Sequence, residues 1–179
     1  VTLDQFVDLI FVEEGSVYAE PPQIDQPTGP GGIILATLEA DRGVPCTVDD
    51  LKALTIPDAR AIITRKVARD ATQFRFDQVG DEHLQIQLLD FAYNSGPVTA
   101  VKYLQRVLGF GFAGAPIDGV IGPQVILSLS TFPPAPMWKL LVNNSLAALR
   151  AAEAWNGTLV AAKFAEGVAH RAIRFVVLP

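Results

Sequence analysis

The sequence predicts a mainly α-helical protein, and three observations carry that reading. Apolar residues recur at helical spacing in stretch after stretch. Hydroxyl or acidic caps stand before several of these stretches, and Gly or Pro follows them. No run of useful length alternates like a strand outside one early loop, residues 15–32. Half of the 179 residues are hydrophobic and 18% are charged, so the chain can bury a large core.

The elements follow in order. Thr2 and Gln5 have the spacing of a capping box, and a first helix runs from there to about Glu14. Gly15 suits the left-handed position that ends it. At about 100° per residue, Leu3, Phe6, Val7 and Ile10 share one face. Glu14 falls in the middle of that face and Glu13 at its edge. Residues 15–32 hold four prolines and four glycines, so a small hairpin or an irregular loop is expected there. A short helix is expected over 35–41, ending near Gly43. Thr47 and Thr55, each with an Asp three residues on, cap helices over 48–54 and 56–72. Pro57 suits the first turn of the second.

Residues 82–95 form a strongly apolar helix stopped by Gly96 and Pro97. The next helix, 98–108, places Val101, Leu104 and Leu108 on one face. A glycine-rich loop, "GFGFAGAPIDGVIG", leads to a short helix from Pro123 to about Ser130. Two further helices are expected over 138–155 and 158–176. The chain divides into an N-terminal lobe, 1–80, and a helical C-terminal region, 81–179, expected to form one compact unit.

Charge narrows the partners. The formal net charge is -5, so the chain gains no counterion-release affinity for nucleic acid. Nor is it drawn generally to an anionic membrane or wall polymer. Binding to such a polymer must come from local shape and hydrogen bonds. Cys46 is the single cysteine, so no internal disulfide forms. With no histidine nearby, a half-buried thiol is expected there rather than a catalytic thiolate. His83 and His170 lack ligand spacing, and neither metal nor other cofactor is expected. The N-terminus has no signal-peptide pattern, and no apolar run reaches the length of a membrane span.

Three stretches together carry a family resemblance. Residues 12–18, "VEEGSVY", are similar to a Glu-Gly-Gly-Tyr motif. Residues 33–54, "IILATLEADRGVPCTVDDLKAL", resemble a "GIT-LATL-x-A-x-RG" segment and its following helix. Residues 88–123 resemble an "A-x-N-x-G-x-x-x-A-x-x-x-LQ-x-x-LG…DG-x-x-GP" pattern. The tail "FAEGVAHRAIRF" resembles a closing helix, with Val168 where a Trp is common. In this order and spacing they resemble glycosyl hydrolase family 108, phage-endolysin-like muramidases. The resemblance covers most of the chain. It implies a lysozyme-like helical fold with a peptidoglycan-binding C-terminal region. The implied activity is hydrolysis between N-acetylmuramic acid and N-acetylglucosamine. A monomer made in a host cytoplasm would then act on periplasmic peptidoglycan, with a holin for membrane passage.

Such hydrolysis needs a proton donor for the leaving oxygen and a group that manages an oxocarbenium-like charge. Glu14 is the candidate acid. It stands at the negative end of a helix dipole and beside apolar neighbours, both of which disfavour a charged carboxyl. Glu13 reads as its solvated neighbour. The second group is where the sequence departs from the family. The run "PPQIDQPTGPGGIIL" replaces one close to "D-P-G-G-x-T-x-x-G-I-T". In one alignment Thr28 keeps the family's distance from Glu14, and the Asp slot falls on Gln23 with Asp25 two residues later. In the other, "GPGG" matches "DPGG" and the Thr is lost. Asp25 and Thr28 are the candidates for placing water or stabilising charge.

Tyr18 is a candidate for stacking on a sugar face, although a core role is commoner for such a residue. Asp90 and Asn94, one turn apart, are candidate substrate contacts or stabilisers of a helix junction. Two other readings compete: a catalytically degenerate peptidoglycan-binding or structural phage protein, and an unrelated helical bundle. A cleft is expected between the 15–32 loop and the 82–108 helix pair.

Overall fold

The computed structural model describes residues 3–20, 26–111 and 114–131. The expected helices over 138–155 and 158–176, the closing-helix resemblance, the Thr2 cap and Asp25 lie outside the described residues. Among those described, the protein is mainly α-helical and has no β-strand. Two units divide the chain, Val1–Arg69 and Asp70–Pro179.

The first unit opens with α1, Leu3–Glu14, which buries Phe6, Val7 and Ile10. Leu3, on the same stripe, lies exposed in the first turn. Gly15 ends the helix at φ 83°, its N–H donating to Phe11 O at 3.1 Å. The loop that follows is irregular rather than a hairpin. Two isolated antiparallel bridges, Ala19–Thr28 and Gly29–Ile33, are all the β structure it forms among the described residues. Proline explains this: it has no N–H for a ladder and its ring fixes φ. A single 3₁₀ turn, Pro30–Gly32, returns the chain.

Next come α2, Leu35–Arg42, and α3, Val48–Lys52. Gly43 closes α2 in the left-handed region, donating to Glu39 O at 2.8 Å. Thr47 and Asp50 form a reciprocal capping box at the start of α3. Arg42 reaches over to Asp50 at 3.0 Å, and Glu39 accepts from the Cys46 N–H at 3.1 Å. These bonds fix the turn between the two short helices. Cys46 is a free, half-buried thiol.

The long α4, Ile56–Gln73, starts where the Thr55 hydroxyl and Asp58 bond reciprocally. It buries Ala59, Ile62, Ile63 and Val67. The core of this unit is formed by these residues with Phe6, Val7, Ile10, Ile33, Leu38, Leu51 and Leu54. Two ion pairs tie other elements to α4: Arg60 to Asp8 at 2.6 Å and Arg65 to Asp41 at 2.7 Å.

In the second unit, a 3₁₀ turn, Phe76–Gln78, precedes α5, Glu82–Ser95. Asp81 caps α5 by accepting from Leu84 N at 2.8 Å. Gly96, at φ 84°, separates it from α6, Pro97–Val107. The two pack together through an apolar layer that includes Leu84, Leu88, Ala92, Val101 and Leu104. The last described helix, α7, spans Pro123–Thr131 and buries Val125 and Leu129. No described helix is long and apolar enough to cross a membrane.

Candidate active site

Glu14 is the last residue of α1 and is half-buried. Helix register sets its direction, because it continues the stripe formed by Phe6, Val7 and Ile10. The Pro30–Gly32 turn closes on it from the other end of the loop. Gly31 N–H donates to Gly15 O at 2.8 Å. A Cβ placed on Gly32 would meet Glu14 Oε2 at 3.0 Å, Cγ at 3.1 Å and Cβ at 3.2 Å. A Cβ on Gly31 would run into Ile63 Cδ1 and lie 3.3 Å from the Phe11 ring. Both glycines have φ near +70° (70° and 73°), which other residues rarely adopt. Gly32 therefore presents a side-chain-free position beside which the Glu14 carboxyl lies. Gly32 thus limits where the carboxyl can sit, and a proton donor requires a fixed position.

Thr28 lies at the opposite foot of the loop from Ala19. The two exchange both backbone bonds, Ala19 N to Thr28 O at 2.9 Å and Thr28 N to Ala19 O at 3.1 Å. Thr28 precedes Gly29, whose own N–H donates to Ile33 O at 2.7 Å. The backbone at Thr28 is thus fixed independently of its hydroxyl. Asp25, its companion candidate, lies outside the described residues.

Tyr18 belongs to a cluster that the sequence did not announce. Lys52, on α3, pairs with Glu20 at 2.8 Å and places its ammonium 5.2 Å from the centre of the Tyr18 ring. Tyr18 Oη is sealed from solvent and short of full hydrogen-bond geometry with any partner. Burial, then the neighbouring Glu20 carboxylate, raise the phenol above its ordinary 10.0. Lys52, then Tyr18, hold Glu20 below its ordinary 4.5, and Glu20 in turn raises Lys52 above 10.5. Glu20 and Lys52 carried no signal in the sequence because their partnership joins a loop to a separate helix.

In the second unit, Asp90 is buried and Asn94 is exposed on α5. Asn94 Nδ2 donates to the backbone carbonyl of Asp90 at 2.9 Å, so its amide supports the last turn of its own helix. Gln105, only 1% exposed, clamps the loop before α7. Its Nε2 donates to Asp118 Oδ1 at 2.7 Å and Val120 O at 3.1 Å, and its Oε1 accepts from Gly119 N at 2.9 Å. The "LQ…DG" pattern is thereby accounted for as a loop closure. Among the described residues, no group of three His, Cys, Asp or Glu side chains is arranged to hold a metal ion.

No protein-family model and no curated protein matches the chain. Among solved structures, it is similar to that of Brucella abortus SagA, at 26% identity and a TM-score of 0.67. The match covers 98% of this chain and 96% of that one.

Proposed function

We propose that the protein is a muramidase that hydrolyses the bond between N-acetylmuramic acid and N-acetylglucosamine in bacterial peptidoglycan, with Glu14 as the general acid. One observation carries the reading: a half-buried carboxyl at the end of α1, beside a turn of paired glycines. The motif resemblance supports it, as does a mainly α-helical fold consistent with a lysozyme-like bundle. In this reading Glu14 protonates the leaving oxygen, and Thr28, with Asp25, places the attacking water. The enzyme acts on the periplasmic side of the envelope, with a holin providing passage.

A second reading has one feature in its favour. The slot where the resembled family carries an Asp after the Glu falls on Gln23 in one alignment and on Gly29 in the other, and neither residue ionises or acts as a base. A relative that binds the glycan without cutting it would tolerate that change.

One experiment separates the two. Release of reducing ends from purified peptidoglycan is measured for the wild type, Glu14→Gln and Glu13→Gln, with melting temperature as a folding control. General acid catalysis contributes about 10²–10⁴-fold, so Glu14→Gln should lose at least that order while still folding. Glu13→Gln should stay near wild type. Full activity in Glu14→Gln, or inactivity confined to Glu13→Gln, removes Glu14 from the role. An inert wild type defeats the muramidase reading, and the binding-only reading then requires that the protein still bind the glycan.

A further inference from the structure

Glu14 and Lys52 are linked by a continuous set of contacts within the first unit. The Glu14 carboxyl lies beside Gly32, and Gly32 N–H donates to Gly29 O at 3.1 Å. Gly29 in turn is seated on α3: a Cβ there would meet Leu51 Cδ1 and Leu54 Cδ1, each at 3.2 Å. Lys52 follows Leu51 on the same helix and holds Glu20 at 2.8 Å. Glu20 adjoins Ala19, the residue bridged to Thr28. The pair therefore belongs to the same loop framework as the proposed acid and Thr28.

Its chemistry is suited to a sugar. Lys52 and Glu20 remain 46% and 53% exposed at their side chains, so a ligand can reach both. A carboxylate only accepts hydrogen bonds and an ammonium only donates them, whereas a sugar hydroxyl does both. Side by side, the two groups match one hydroxyl, or two neighbouring ones. Tyr18 supports them from below: its ring lies under the ammonium, and its hydroxyl is sealed from solvent. Asp49 is the other charge acting on Tyr18 and Lys52. An exposed ion pair contributes little to folding stability, so stability alone gives this arrangement little purpose.

We propose that Glu20 and Lys52, supported by Tyr18, form a hydroxyl-binding subsite for a pyranose ring of the glycan whose cleavage is assigned to Glu14. The proposal rests on the muramidase reading for its placement, but binding tests it separately from cleavage.

Binding of the N-acetylglucosamine tetramer is measured by calorimetry for the wild type, Lys52→Met, Lys52→Arg and Glu20→Gln. KM and kcat on purified peptidoglycan are measured in parallel. Losing one charge-assisted hydrogen bond should weaken binding about tenfold. Lys52→Met and Glu20→Gln should therefore raise Kd and KM by that factor, with kcat and melting temperature close to wild type. Lys52→Arg should recover most of the affinity. Unchanged Kd and KM in Lys52→Met overturn the subsite. So does a fall in kcat that tracks a fall in melting temperature, because the pair would then be only a loop anchor. A wild type that binds the tetramer through Lys52 yet cuts nothing upholds the subsite and defeats the muramidase reading. A wild type that neither binds nor cuts defeats both.

Discussion

The side chain of Glu14 lies beside Gly32, close enough that a methyl group at position 32 would lie 3.0 Å from Oε2. The two residues stand at opposite ends of one loop, so the glycine decides where the carboxyl points. Gly32 also has φ 73°, a conformation that costs a non-glycine residue about 1–2 kcal/mol.

Gly32→Ala should therefore have two effects of unequal size. Stability should fall by about 1–2 kcal/mol from backbone strain. Activity on peptidoglycan should fall further than the unfolded fraction explains, because the new methyl displaces the acid; a shift of about 1 Å at a reacting group can cost about 10²-fold. Denaturant melts beside initial rates, both at 25 °C, check this. If activity falls only in proportion to the loss of folded protein, Gly32 does not position Glu14.

Much of the helical framework is legible in the sequence because its signals are local. Thr47 with Asp50 and Thr55 with Asp58 cap the helices they precede. Gly15, Gly43 and Gly96 end the helices they follow. The 15–32 loop is legible as a break, but among its described residues only isolated bridges form, and proline, with no N–H for a ladder, gives the reason. Arg75 was not legible. It holds φ 60° because Nη1 donates to Ile121 O at 2.9 Å and Nη2 to Gln78 Oε1 at 2.6 Å. Only tertiary structure supplies the first of those acceptors.

The site divides along the same line. Glu14's place at a helix end follows from periodicity, whereas its place beside Gly32 needs the loop to fold back. The Glu20–Lys52 pair joins a loop to α3, and no periodicity links them. The "LQ…DG" run was visible as a pattern, but its structural part was not: Gln105 uses its amide on the loop it closes.

That closure yields a second prediction. Gln105→Leu keeps similar bulk but leaves the buried Gly119 N–H without its partner and removes one donor from the part-buried Val120 O. A buried group left unpaired costs about 1–3 kcal/mol. Gly119→Ala should also destabilise, since a methyl there would lie 2.7 Å from Val98 Cγ1 at φ 82°. Both variants should unfold at lower urea concentration, while the fraction that remains folded binds the sugar tetramer normally. A stable Gln105→Leu variant that fails to bind sugar would instead make this loop a ligand site.

The third prediction concerns acid stability. Arg65 grips Asp41 with two bonds, Nε to Oδ1 at 2.8 Å and Nη2 to Oδ2 at 2.7 Å. The bond to Arg65 holds Asp41 below its ordinary 3.8. A depressed carboxyl stabilises the fold above its unfolded-state value, and that stabilisation disappears as pH falls through the folded-state value. Glu20, Asp50 and Asp118 are shifted in the same direction. The wild type should thus lose stability below pH 3.8. The advantage of wild type over Asp41→Asn, about 1 kcal/mol because Arg65 is 59% exposed and screened by solvent, should be present at pH 7 and close in acid. An advantage that persists or widens on acidification contradicts this sign.

The last prediction isolates the hydroxyl of Thr28. Ala19 fixes the Thr28 backbone through two hydrogen bonds, at 2.9 and 3.1 Å, and neither involves the side chain. Thr28→Val keeps the β-branch and nearly the same volume, so the bridge and the glycine turn beyond it should persist. If the hydroxyl places the attacking water, its removal should lower kcat by about 5-fold to 30-fold, the worth of about one to two kcal/mol of lost hydrogen bonding. KM and melting temperature should hardly move. Thr28→Ser, which restores the hydroxyl on a less constrained side chain, should recover a good part of the rate. Steady-state kinetics on purified peptidoglycan, with thermal melts of all three proteins, provide the measurement. A Thr28→Val variant with wild-type kcat would assign Thr28 to the loop's framework and leave water placement to another group.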